Sequence, residues 1–183
     1  FKVRADVCYL YETKAVAKVC INKDVIKNAA KDAICTTTGE KEVQNSGAPV
    51  QITSVKQEAI GGGKMQVTFT VSHTGPGDAF FKWDSGNSAG KCDLSVINRD
   101  KYKVYVDVKP NFATSEIKCT GFDTADGGTG STGFITMFEA KPRSVSCAVT
   151  PSSPGNSVYE DIVNFNLKYR YLQHIEQPLL VKD

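Results

Sequence analysis

Six cysteines, Cys8, Cys20, Cys35, Cys92, Cys119 and Cys147, are the residues of this chain with the most chemistry open to them, and their spacing decides which chemistry it is. No pair stands as CxxC, so neither a local zinc knuckle nor a thioredoxin-type dithiol is encoded, and no CxxCH offers a haem attachment. An even set of thiols without those motifs is the pattern of a chain that matures where thiols oxidise. The six are therefore expected to form three structural disulfides in an extracellular protein. Sequence distance and strand placement favour Cys20 with Cys35, which ties a strand end to a helix end, and Cys119 with Cys147, which joins strands flanking a glycine-rich loop; Cys8 with Cys92 then remains.

Other reactive groups are sparse. A serine or cysteine nucleophile needs a base, and the chain has 2 histidines, His73 and His174, both beside apparent strands and neither in a catalytic motif. No catalytic residue is assigned, and the chain is read as not an enzyme. Two carboxylates from distant positions remain able to meet across a glycosidic bond, although no pair stands out. Asp123 and Asp126 lie in a glycine-rich stretch where oxygen ligands would suit calcium, but the spacing is not that of an EF-hand. Asp78, Asp84 and Asp93 flank turns and are read as solvated. No metal and no cofactor is expected. Trp83, in Phe80-Phe81-Lys82-Trp83, is either a core residue or part of an aromatic platform for a sugar ring.

The elements that must position these groups are mostly strands. Val163, Phe165, Leu167, Tyr169 and Tyr171 alternate with Asn164, Asn166, Lys168 and Arg170, which describes a strand with one wet face. Val67, Phe69 and Val71 alternate with threonine and serine, and Tyr102, Val104, Val106 and Val108 with Lys103, Tyr105 and Asp107. Weaker strands are expected over 3–10, 15–21, 50–57, 116–120, 134–138 and 144–149. Asp24 can cap a helix over about residues 25–35, in which Val25, Ala29 and Ala33 recur at helical spacing. The tract Thr124 to Gly133 is expected to be a mobile loop. Strands at short, regular spacing predict an immunoglobulin-like antiparallel β sandwich. It is read as a single extracellular domain over 1–183, with 1–47 a disulfide-stapled N-terminal extension packed on the core.

Charge and hydropathy narrow the partners. A net charge of +2, with both signs well mixed, gives no reason to seek nucleic acid or anionic lipid. No apolar run is long enough to span a membrane. The chain begins at Phe1 with neither a methionine nor an apolar leader, which predicts a start made by cleavage or trimming. No NxS/T sequon occurs, so N-glycosylation is not expected. The segment Asp161 to Val181 has β character almost throughout, interrupted at Pro178, and is either the last strand of the monomer or a terminal strand that pairs beyond its own sheet and joins one copy to the next.

Residues 48–81, APVQITSVKQEAIGGGKMQVTFTVSHTGPGDAFF, resemble the opening strands of a CARDB-type immunoglobulin-like module. The wider order, Cys8-Tyr9-Leu10-Tyr11, Cys20, Cys35, Gly47-Ala48-Pro49-Val50, Cys119, Cys147 and the ending Leu167 to Gln173, resembles secreted or membrane-anchored β proteins of small-genome archaea. That resemblance implies a cell-surface location and an N-terminal anchor, and carries no activity with it. The expected function is that of a non-enzymatic extracellular structural protein, the self-assembling subunit of a filament or coat linked by β-strand addition, with copies of itself or other cell-surface proteins as partners. The alternative is a surface adhesin or glycan-binding module.

Overall fold

The structure, a computed structural model, describes residues 1–22, 34–81, 92, 101–125, 130–152 and 158–180. Their strands are β1 (Lys2–Ile21), β2 (Gly39–Lys41), β3 (Val43–Asn45), β4 (Val50–Gly61), β5 (Lys64–His73), β6 (Asp78–Phe80), β7 (Lys103–Pro110), β8 (Thr114–Thr120), β9 (Thr124–Ala125), β10 (Thr132–Thr136), β11 (Arg143–Pro151) and β12 (Tyr159–Pro178). One antiparallel sheet runs β3-β1-β12-β7-β10-β9, with β6 on the same side of β12 as β7. The other runs β2-β4-β5-β11-β8.

The two sheets share one core because alternation gives each an apolar face. Ala15, Ala17, Val19 and Ile21 of β1, Val163, Phe165 and Leu167 of β12, and Val104, Val106 and Val108 of β7 meet Val50, Ile52 and Val55 of β4, Val67, Phe69 and Val71 of β5, and Val145, Cys147 and Val149 of β11. Phe69 and Phe165 touch across the interface with ring centroids 4.8 Å apart. On the outer face of the second sheet the alternate residues are polar and bond one another: Thr68 with Ser146 at 2.9 Å and Thr70 with Ser144 at 3.0 Å. One wet face and one dry face explain why the period-two pattern was readable.

All six cysteines are paired, as Cys8–Cys92, Cys20–Cys35 and Cys119–Cys147. Cys119 and Cys147 stand directly opposite each other on β8 and β11, with Cα atoms 3.9 Å apart. The Cys119 N–H is turned away from β11 and donates to the Gly130 carbonyl at 2.8 Å, while Val108 of the other sheet donates to Ser131 at 3.0 Å. The segment at 130–131 thus bridges the two sheets along one side.

The helix expected over about 25–35 lies outside the described residues except at 34 and 35, which form a bend. Two other expectations need revision. The glycine-rich tract is not a plain loop, because Thr124 and Ala125 pair with Phe134 and Gly133 as a short hairpin. Gly133 lacks a side chain there because an added Cβ would lie 2.5 Å from the Phe122 ring. Residues 1–47 supply more than an extension, since β1 occupies an internal position in the first sheet and contributes core side chains.

Candidate functional site

β1 and β12 are each 20 residues long and pair antiparallel throughout, from Ile21 opposite Tyr159 to Lys2 opposite Pro178. The inner half of this ladder belongs to the core. The outer third, residues 2–7 with 173–178, is exposed on both strands, and among the described residues no third strand pairs with it. At about 3.3 Å per residue it extends roughly 20 Å from the buried part as a two-stranded ribbon.

Four tyrosines fix the root of the ribbon. Tyr9 lies opposite Tyr171 and Tyr11 opposite Tyr169, with ring centroids 6.1 and 5.7 Å apart. The Tyr11 hydroxyl donates to the Gly47 carbonyl at 2.8 Å, and Tyr9 donates to Gln173 at 3.1 Å. The Tyr171 hydroxyl accepts the Gly77 N–H at 2.7 Å, in a slot where a Cβ on Gly75 or Gly77 would strike the tyrosine. Tyr169 reaches across the core: its hydroxyl accepts the Val50 N–H at 3.2 Å and bonds Thr13 at 3.0 Å. Burial pushes the Tyr169 phenol up to about 12, so it remains a neutral hydrogen-bonding clamp between the sheets.

The ribbon has two unlike faces. Val3, Ala5, Val7 and Ile175 share one with Gln173 and Gln177, and Val7 and Ile175 are 57% and 59% exposed. Ala5, Val7, Gln173 and Ile175 of this face, together with Pro76 and Gly77, line a cleft of about 520 Å³. The opposite face carries charge: Arg4 grips Asp6 at 2.7 Å and approaches Glu176 at 3.9 Å. Hydrogen bonding to Arg4 holds the Asp6 carboxyl below its ordinary value.

The ribbon also has an open edge. Leu179 donates to the Phe1 carbonyl at 2.7 Å and the Phe1 nitrogen bonds back at 3.2 Å, so odd-numbered β1 residues exchange backbone bonds with β12 and even-numbered ones turn theirs outward. Farther along, the outward groups are used. Lys14 bonds Ser46, Val16 pairs within β3, and the Gln57 side chain accepts from the Cys20 N–H at 2.9 Å and donates to its carbonyl at 2.7 Å. From Lys2 to Glu12 no strand among the described residues takes them up.

The residues singled out by type are dispersed. His73 ends β5, its ring beside Tyr102 and Tyr171; burial lowers its pKa, and Nε2 is enclosed without a hydrogen-bond partner among the described residues. His174 lies on the exposed ribbon opposite Asp6. Asp123 is held by Arg143 at 2.9 Å, and Asp78 by Lys101 at 3.2 Å and the Tyr102 hydroxyl at 2.8 Å. Asp84, Asp93 and Asp126 lie outside the described residues, as does Trp83. Phe80 is 1% exposed, and Phe81 packs edge-on against Phe134 at 4.8 Å. Among the described residues no group of three or more His, Cys, Asp or Glu side chains is placed to hold a metal, and no helix is long and apolar enough to cross a membrane.

Of the two readings of the final segment, the last strand of the monomer or a strand that reaches a neighbour, the described residues show the first. Through Pro178 it pairs with β1 of its own chain, and up to Leu172 its other edge is occupied by β7 and β6. Among the described residues the unpaired edge belongs mainly to the first strand, which the pattern of apolar residues alone does not single out. Comparison with family models, curated proteins and solved structures finds no match to the chain.

Proposed function

We propose that this chain is a non-enzymatic structural protein of the cell exterior, a self-assembling subunit of a filament or coat joined by β-strand addition. The observation that carries the reading is the projecting ribbon, whose β1 edge presents backbone donors and acceptors from Lys2 to Glu12 that no strand among the described residues takes up. Unpaired edges of this kind are what strand addition uses. Three disulfides support maturation in an oxidising compartment.

An immunoglobulin-like ancestry is supported by strand order. The sequence β4-β5-β11-β8 follows the A-B-E-D order, and β7-β12-β1 follows C-F-G, with the first strand of the chain in the place of the last strand of the module. The rival reading, a glycan-binding adhesin, has less support because Phe80 is in the core and Phe81 is engaged with Phe134 and Lys103.

Light scattering and electron microscopy of the non-reduced protein over a range of concentrations test the proposal. Ordered multimers that grow with concentration are expected. A strict monomer at every concentration overturns it.

A further inference from the structure

We infer that the β1 edge pairs with the same edge of a second copy, antiparallel and centred on Ala5, to form a two-fold dimer. This rests on the self-assembly reading above and names the contact. Only even-numbered residues turn backbone groups outward, so even must face even across a new interface. In a symmetric pairing the two opposed residue numbers then add to an even sum.

The sequence of the edge eliminates most sums. Centring on Val3 sets Lys2 against Arg4, centring on Arg4 sets it against itself, and centring on Asp6 does the same for Asp6; like charges directly opposite repel. Centring on Cys8 or beyond drives the second copy's first residues into β3, which already occupies the edge from Ala15. Two registers survive, about Ala5 and about Val7. The first sets Arg4 against Asp6 twice, Val3 against Val7 twice and Ala5 against itself. The second leaves Arg4 opposite Leu10 and Asp6 opposite Cys8, and its one complementary pair, Lys2 with Glu12, lies at the two ends of the contact rather than at its centre.

The Ala5 register also uses what each copy already displays. Arg4 and Asp6 form an exposed pair within one chain at 2.7 Å, and the second copy adds the same pair reversed, giving four charges of alternating sign. Antiparallel partners keep their side chains on a common face, so the Val3, Ala5, Val7 and Ile175 faces of both ribbons become one apolar strip. Val3 of the second copy then stands beside Val7, at the wall of the cleft. The charges explain why so open an edge need not pair indiscriminately: a strand without the complementary order meets them unpaired. The contact is isologous and closes on itself, so the dimer is the repeating unit and a filament requires a second, different contact.

Cross-linking and charge exchange test the register. Opposed Ala5 residues form a pair without direct backbone bonds, with Cα atoms at about 4.5 Å, within disulfide reach. Ala5→Cys is therefore expected to give a disulfide-linked dimer, with the three native disulfides intact by peptide mapping, whereas Val7→Cys is not. Arg4→Asp should weaken association roughly tenfold, and Arg4→Asp with Asp6→Arg should restore it. Both sites are exposed, so folding is not at issue. A cross-link at Val7 but not Ala5 overturns the register. Multimers indifferent to Arg4→Asp overturn the β1 contact while leaving self-assembly standing, and a strict monomer overturns both.

Discussion

His73 is a residue whose environment couples the stability of this fold to pH. Its ring is wedged between Tyr102 and Tyr171, and Nε2 is enclosed with no hydrogen-bond partner among the described residues. Desolvation lowers its pKa from the ordinary 6.5, and Asp78, the charged neighbour that opposes the shift, does not cancel it. Asp78 is itself engaged by Lys101 and the Tyr102 hydroxyl. A folded pKa below the unfolded one means that the unfolded chain binds the proton more readily, so stability is full above about pH 6.5 and declines as pH falls through the folded value. Denaturant melts between pH 7 and 5 should show this loss, with a slope no steeper than about 1.4 kcal/mol per pH unit from this one group. His73→Phe should flatten the profile in that window. An unchanged slope in the variant assigns the acid sensitivity elsewhere.

At the scale of elements, side chains finish what the ladders leave open. Gln57 sits in β4 of the second sheet, 1% exposed, yet its amide makes the two backbone bonds to Cys20 that a further strand would make. Replacing it by Leu preserves the volume and strands both Cys20 groups in the core. A loss of about 2–6 kcal/mol is expected in equilibrium unfolding, because each of the two buried unpaired groups costs about 1–3 kcal/mol. A change below about 1 kcal/mol would mean that water or the backbone takes over the role. The same strand shows what was legible beforehand. Two strands over 3–10 and 15–21 were expected, but β1 runs through both, because the apparent break at Glu12 and Lys14 is only the wet side of a strand whose other side continues through Thr13. Thr13 looks polar in sequence; in the structure its hydroxyl is buried, donating to the Val50 carbonyl at 2.7 Å. Alternation through Tyr9, Tyr11, Thr13, Ala15 and Ala17 is the signal that could have joined them. The open edge carries no such local signal, since which edge is left unpaired depends on partners more than a hundred residues away, at Phe165 or Tyr171.

For the whole molecule, the disulfides divide between holding the body together and aiming the ribbon. Cys147 is fully buried and Cys119 is 9% exposed, so that bridge is part of the core, whereas Cys8 lies in the exposed part of β1. Cys8–Cys92 also has the largest sequence separation, 84 residues, against 28 and 15 for the others. By chain entropy alone a closed loop of that size contributes about 4.6 kcal/mol, the largest share of the three. Limited reduction should therefore open Cys8–Cys92 before Cys119–Cys147, by access rather than by lesser stabilisation. In Cys8→Ser/Cys92→Ser the melting temperature should fall, and amide exchange should accelerate over residues 2–7 and 173–178 far more than over 15–21, whose side chains are in the core. If the ribbon is the assembly surface, its fraying must weaken association beyond the loss of stability, because an edge strand has to be straight and ordered before a second copy can add to it. Uniform acceleration of exchange over β1 would instead mean that the ribbon and the body unfold as one unit, and that this bridge stabilises the fold without specifically ordering its exposed end.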